Sequence, residues 1–258
     1  MSIIFIMEYL YLNLPICKLK NNKFNIPNNI NKIWIDVGTS FNSPNSIHFL
    51  NRNKNGFVIG FEPDPNNYIT QYAIHNFKKN LWLLNNNDIS AIEEQKKREL
   101  NQKRNIFSNT EEVLDTNSYM NKYILIPCAI GNEENYKSFY LNKHHGSSSL
   151  NINWNNCDKN NNIQVLVKPL KNFINMIPDE YEYIEHLKID AESYDLEVLL
   201  SAENTIERVA VITVEDESCH SYLINNNFEF LEKQNGGVSY INKKYKHLLN
   251  NLDYFIRV

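Results

Sequence analysis

The chain alternates short apolar runs with long polar, Asn-rich stretches, and the apolar runs predict a sheet. Residues 33 to 37, IWIDV, are apolar apart from Asp36 and lead into Gly38, the pattern of a buried strand leaving a sheet. Pro44 through Leu50 predicts the helix that follows. The run Phe57 to Phe61 within GFVIGFEPDP predicts a second buried strand ending at Glu62, and Pro65 suits the first turn of a helix reaching about His75. Strand, turn, helix, strand and acid in that order predict a βαβ half-sheet of the nucleotide-binding kind.

The rhythm breaks over residues 82 to 121. The stretch NNNDISAIEEQKKRELNQKRN is charged and without a strong apolar face, so it is expected to be a helical insertion. A solvated surface excursion is the plain account of it; a lid or docking element with a basic side at Lys96, Lys97, Arg98, Lys103 and Arg104 is the functional one. The core resumes with YILIPCAIG at 123 to 131, followed by a strand in YKSFYL and a polar loop HHGSSSLNINWNN. IQVLVKPL then predicts a strand leading to a short helix at 170 to 176. HLKIDAES, a helix from Tyr194 to about Ser201, and VAVITVEDES follow, and FEFLEKQNGGVSYINKK pairs two apolar runs across Asn235, Gly236 and Gly237, a strong hairpin signal. The expected architecture is α/β: a mostly parallel seven-stranded sheet closing in a C-terminal antiparallel hairpin, with helices on both faces. Residues 1–258 are expected to form a single domain, with 1–31 as an N-terminal extension.

Ligands of such sheets sit beyond the carboxyl ends of the strands, so the informative positions follow each apolar run. They are Asp36 to Asn42, Glu62, Cys128 to Ala129, Asp190 to Ser193, and Glu215 to Glu217. Gly38 lacks the Cβ that would keep a bound molecule off the backbone. The loop after it offers N–H groups and the hydroxyls of Thr39, Ser40 and Ser43. Glu62 stands where a carboxylate accepts hydrogen bonds from ribose hydroxyls, and its charge disfavours a 2′-phosphate. An acid at one strand end often does no more than face water; two acids at the spacing of one βαβ unit favour a nucleotide-type ligand.

Composition narrows the partners. Of the 258 residues, 26 are Lys or Arg and 30 are Asp or Glu, so the net charge of −4 gives no general attraction to nucleic acid or to an anionic membrane. An apolar fraction of 42% with 12% aromatics is that of a globular chain. Cys17, Cys128, Cys157 and Cys219 stand far apart without CxxC or zinc-finger spacing, which predicts free thiols in a reducing compartment. Glu8, Asn13 and Pro15 interrupt or follow the opening apolar run, so neither a secretory signal nor a spanning helix is expected, and a cytoplasmic location is. The first strand is not followed by GxGxxG, which ranks an NAD-dependent dehydrogenase low.

Four segments together carry a resemblance. Asp36, Val37 and Gly38 with Ser43 or Ser46, FEPDP at 61–65, PCAIG at 127–131, and LKIDAESYDLEVL at 187–199 resemble, in order, the motifs of the FkbM-type methyltransferases. The first is similar to the family's DVGxNxGxxS and the last to its LKIDVEGAExxVL. Ser40 stands where the family has Asn, Asn42 where it has a second Gly, and Ser193 where it has Gly. The resemblance implies a Rossmann-like class I fold and S-adenosylmethionine as cofactor, bound by Asp36, Gly38, Ser40, Asn42, Glu62 and Pro63, with Ala129 near the adenine. It also implies methyl transfer to a hydroxyl of a sugar, glycan or small metabolite. Methyl transfer from a sulfonium is an in-line displacement, so a side chain must orient the acceptor oxygen and assist loss of its proton. Asp190 is the first candidate and Glu192 the second. Lys188, on the same strand face as Asp190, is either a partner to Asp190 or to the substrate, or a salt bridge holding the strand end. His145, Ser147 and Glu215 are expected on the acceptor side. No metal is expected, because the paired acids at 215 and 217 lack a clearly committed third ligand. Two alternatives stand: a 2′-O-methyltransferase of RNA, against which the acidity argues, and an inactive cofactor-binding module, which the altered glycine positions motivate.

Overall fold

Apolar runs of about six residues build the centre of the computed structural model, which describes residues 22–75, 91, 94, 122–142, 146–154, 157–234 and 236–251. Apart from 91 and 94, the expected insertion at 82–121 lies outside the described residues, as do His144, His145 and residues 1–21 of the expected extension. The strands are β1 (Lys32–Val37), β2 (Gly56–Phe61), β3 (Tyr123–Ile126), β4 (Ala129–Ile130), β5 (Asn135–Asn142), β6 (Cys157–Lys168), β7 (Ile184–Ile189), β8 (Val209–Val214), β9 (Phe228–Gln234) and β10 (Gly237–Asn242). The helices are α1 (Pro44–Arg52), α2 (Pro65–His75), α3 (Leu170–Ile174), α4 (Asp195–Leu200) and α5 (His220–Asn225).

Among the described residues seven strands form one sheet in the order β3-β2-β1-β7-β8-β10-β9. The pairs from β3 to β8 are parallel, while β10 runs antiparallel to β8 and β9. Every residue of β2, β7 and β8 is buried, as strands covered on both faces require. Alternation then decides which helix each side chain meets. Ile33, Ile35 and Val37 of β1 point into the larger core, against Phe173 and Ile174 of α3, Val198 and Leu199 of α4 and Leu223 of α5. Trp34 points the other way, to a second cluster with Ile47, Phe49 and Leu50 of α1 and Tyr72 of α2. Helices therefore cover both faces, and the closing hairpin forms as expected.

The stretch YILIPCAIG, continuous in the sequence, is divided. Its first half is β3 of the large sheet; after Pro127 the chain turns, Cys128 N–H bonds to the Ile126 carbonyl at 2.9 Å, and Ala129–Ile130 joins a separate three-stranded sheet in the order β4-β6-β5. Proline has no N–H for a ladder bond, which makes this a natural breaking point. The small sheet, with its own core of Ala129, Phe139, Val165 and Val167, stands at the carboxyl end of the large one. It forms a wall of the site.

Candidate active site

The loop after β1 is built by short-range constraint. Gly38 has φ +78°, and a Cβ on it would lie 1.9 Å from the Asp190 carbonyl oxygen. Gly38 is thus required by the chain itself: the loops after β1 and β7 touch there, in addition to any approach to a ligand. Gly38 and Thr39 donate to the Phe61 carbonyl at 3.1 and 3.2 Å. The left-handed residues further on are Ser40 and Ser43, with φ 59° and 49°, and not Asn42, which stands at the family's second glycine position. A buried polar network holds these turns. Gln71 of α2 donates to Thr39 Oγ1 at 2.8 Å and to the Ser40 carbonyl, and Ser43 Oγ lies 2.7 Å from the Tyr123 hydroxyl.

Asp36 lies beneath this loop, fully buried, and accepts a bond from Ser46 Oγ at 2.5 Å. In register beside it on β7 is Lys188, whose Nζ is 3.4 Å from Asp36 Oδ1, 3.1 Å from Asp190 Oδ2 and 3.0 Å from the Gly38 carbonyl. Burial disfavours the ammonium, but the two carboxylates more than offset this and hold Lys188 above the usual lysine pKa. Of the two accounts of Lys188, the geometry is that of a partner to Asp190 which also braces β1 against β7. Neither Asp36 nor Lys188 lines the cleft.

Glu62, at the end of β2, is buried and accepts from the Asp64 N–H at 3.0 Å and from Asn67 Nδ2 at 3.3 Å. Burial raises its pKa to about 7 although these donors favour the charged form. It faces a cleft that is partly open to solvent. Gly38, Ser40, Glu62, Pro63 and Ala129 line this cleft together with Asp190 and Glu192; Asn42 does not. The far wall is apolar, with Phe139 and Leu150 among its side chains.

At the mouth, Glu192 and Ser193 are consecutive left-handed residues, φ 53° and 67°, the second at the family's glycine position. The 146–154 loop straps them: Ser149 Oγ donates to the Glu192 carbonyl at 2.7 Å and Asn151 Nδ2 to Ser193 Oγ at 2.9 Å. Ser147 bonds the Glu192 carboxyl. Asp190, Glu192 and Glu215 bring carboxylate oxygens within 4.8 Å of one another and form, among the described residues, the one group of acids, histidines or cysteines close enough to hold a metal ion. Crowding raises two of them. Burial first and then the charges of Asp190 and Asp195 push Glu192 to about 7, and Glu215 reaches about 8 for similar reasons. Glu215 also opens onto a second groove with Trp154, Ser193, Asp216, Glu217 and Lys233. Gln71, Asn67 and Tyr123 carry no motif signal of their own beyond position in an element, whereas Asp195 falls within the 187–199 motif, at the position of the family's second Glu. His145 lies outside the described residues.

A mostly parallel sheet ending in an antiparallel hairpin, with its cleft at the carboxyl ends of β1, β2 and β7, defines the Rossmann-like class I methyltransferase fold. The chain belongs to the FkbM methyltransferase family, whose methyltransferase FkbM domain model matches residues 36–237. The structure is similar to that of a methyltransferase FkbM from Methylobacillus flagellatus KT, at 12% identity and a TM-score of 0.40 over 91% of this chain and 50% of that one, so the chain spans about half of its length. No curated protein matches the sequence. Among the described residues no helix is long and apolar enough to cross a membrane.

Proposed function

We propose that the chain is an S-adenosylmethionine-dependent O-methyltransferase acting on a hydroxyl of a sugar, glycan or small metabolite. The observation that carries this is Glu62: a buried carboxylate at the end of β2, facing the cleft and placed to receive a ribose diol. The donor set fits the cofactor. Apolar Ala129, Phe139 and Leu150 suit an adenine, the loop after β1 suits its amino-acid end, and Asp190 and Glu192 suit a neighbouring cation.

When bound, S-adenosylmethionine supplies an electrophilic methyl carbon on a sulfonium. Asp190, held by Lys188, orients the acceptor hydroxyl. Glu192, raised to about 7, is matched to take up the hydroxyl proton near neutral pH, where an ordinary carboxylate is a weak base. The acceptor enters from the groove beside Glu215, whose rim carries Glu215, Asp216 and Glu217 against Lys233, itself paired with Glu217. This excess of negative charge favours neutral over polyanionic acceptors and argues against RNA.

Calorimetric titration with S-adenosylmethionine, S-adenosylhomocysteine and NAD tests the donor. Micromolar binding of the first two is expected, and Glu62→Ala should weaken it by about 1–3 kcal/mol through lost hydrogen bonds. Binding of NAD alone, or unchanged affinity in that variant, rejects the assignment.

A further inference from the structure

We propose that Asp195 is a positioning residue which couples the two acid-bearing loops and so sets Glu192 and Glu215 against Asp190. Asp195 opens α4 and is fully buried. Its Oδ1 accepts from the Ala191 N–H at 2.9 Å, inside the loop after β7. Its Oδ2 accepts from the N–H groups of Glu215 and Asp216 at 2.9 and 3.2 Å, in the loop after β8. One carboxylate thus bridges adjacent strand ends that share no ladder bond beyond Ile189 and Val214.

Asp195 ties the two loops through their backbone N–H groups, beside the side-chain hydrogen bond of Glu215 with Asp190 that also crosses from one loop to the other. Glu192 and Ser193 hold left-handed conformations that non-glycine residues disfavour. The carboxyls of Asp190, Glu192 and Glu215 crowd within 4.8 Å of one another, and any two of them that ionise together repel. Ser149 and Asn151 restrain the β7 loop from the side of the small sheet, but they do not reach the β8 loop. Asp195 does, through three donors, and a carboxylate is required: an amide oxygen in its place serves one loop and leaves the other with its N–H groups unpaired. Those buried donors are costly to leave unsatisfied. Asp195 lines neither the cleft nor the groove beside Glu215, so its effect passes through Glu192 and Glu215.

This inference uses the donor proposed above, and the experiment separates the two. Through-hydrogen-bond NMR couplings from the Asp195 carboxyl to the Ala191 and Glu215 amides are expected in the unmodified protein, and their absence overturns the coupling with no variant needed. For Asp195→Asn, S-adenosylhomocysteine affinity should stay within about twofold, because Glu62 shares no partner with Asp195. The preference for the sulfonium of S-adenosylmethionine over the neutral thioether should fall, on the order of fivefold, as the carboxylates part. Asp195→Glu, which keeps two acceptor oxygens, should restore most of that preference. An unchanged preference in a folded Asp195→Asn protein sinks the positioning role. Failure of both nucleosides to bind the unmodified protein rejects the donor, while the NMR couplings still decide whether the loops are joined.

Discussion

Ser193 shows how a residue in an unfavourable backbone region is retained. Its φ of 67° costs about 1–2 kcal/mol relative to glycine, and its hydroxyl bond from Asn151 returns about 0.5–1.5 kcal/mol. The two nearly cancel. Ser193→Ala keeps the strain and loses the bond, so it should lower stability by about 1 kcal/mol in urea denaturation, whereas Ser193→Gly should stay near the unmodified protein. Equal losses in both variants would show that the hydroxyl alone matters. The sequence motif located this turn, since the family's glycine falls at the same position, but it could not say which residues would turn left-handed after β1. Backbone sign there depends on what the neighbours pin. Gln71 bonds the Ser40 carbonyl from α2, a contact across 31 residues that no local pattern reveals. Asp36 teaches the same lesson: its place at a strand end suggested a ligand contact, and its long-range partners Lys188 and Ser46 turn it inward.

At the level of elements, β1, β2, β7, β8 and the β9–β10 hairpin were legible because each is a continuous apolar run with a clear stop. The small sheet was not. β5 and most of β6 are partly or fully exposed, and a strand with so few buried positions carries little signal of what it pairs with. Only the turn at Pro127 sends β4 to them. Phe139 of β5 reaches the cleft as a buried side chain of this sheet, together with Ala129 and Ile130 of β4. Phe139→Ala should therefore weaken S-adenosylmethionine binding by about tenfold, roughly the value of the lost apolar contact. Phe61→Ala, in the fully buried β2, should cost more stability, about 3–5 kcal/mol. Calorimetry and thermal melting separate the two effects, and a larger stability loss at Phe139 would mean that the small sheet supports the fold as much as the cleft.

Across the whole molecule the site leaves a mark on pH dependence. Burial raises Glu62 and Glu192 to about 7 from 4.5, Glu215 to about 8 from 4.5, and Asp195 to about 6 from 3.8. Over that window the folded chain holds more protons than the unfolded one, so stability declines as pH rises. His186, buried and lowered to about 3 from 6.5, acts in the opposite sense, as one group against four. The melting temperature should be higher near about pH 6 than near about pH 8, and scanning calorimetry that finds the reverse would show these carboxyls to be ionised in the fold. The sequence puts Glu62, Glu192 and Glu215 just after apolar runs, but the size of the effect depends on burial, which composition does not report.

The contact of Gly38 with the Asp190 carbonyl gives the cleft an unequal construction. Its floor, the loops after β1 and β7, is joined backbone to backbone and braced by Lys188, so those parts act as one plate. The 146–154 loop, by contrast, meets that plate through the side chains of Ser149 and Asn151, at about 0.5–1.5 kcal/mol for each bond. Such a site is a box with one latched side rather than two jaws: a joined floor and a loop held by single side-chain bonds are unequal in strength, and the loop is the weaker of the two.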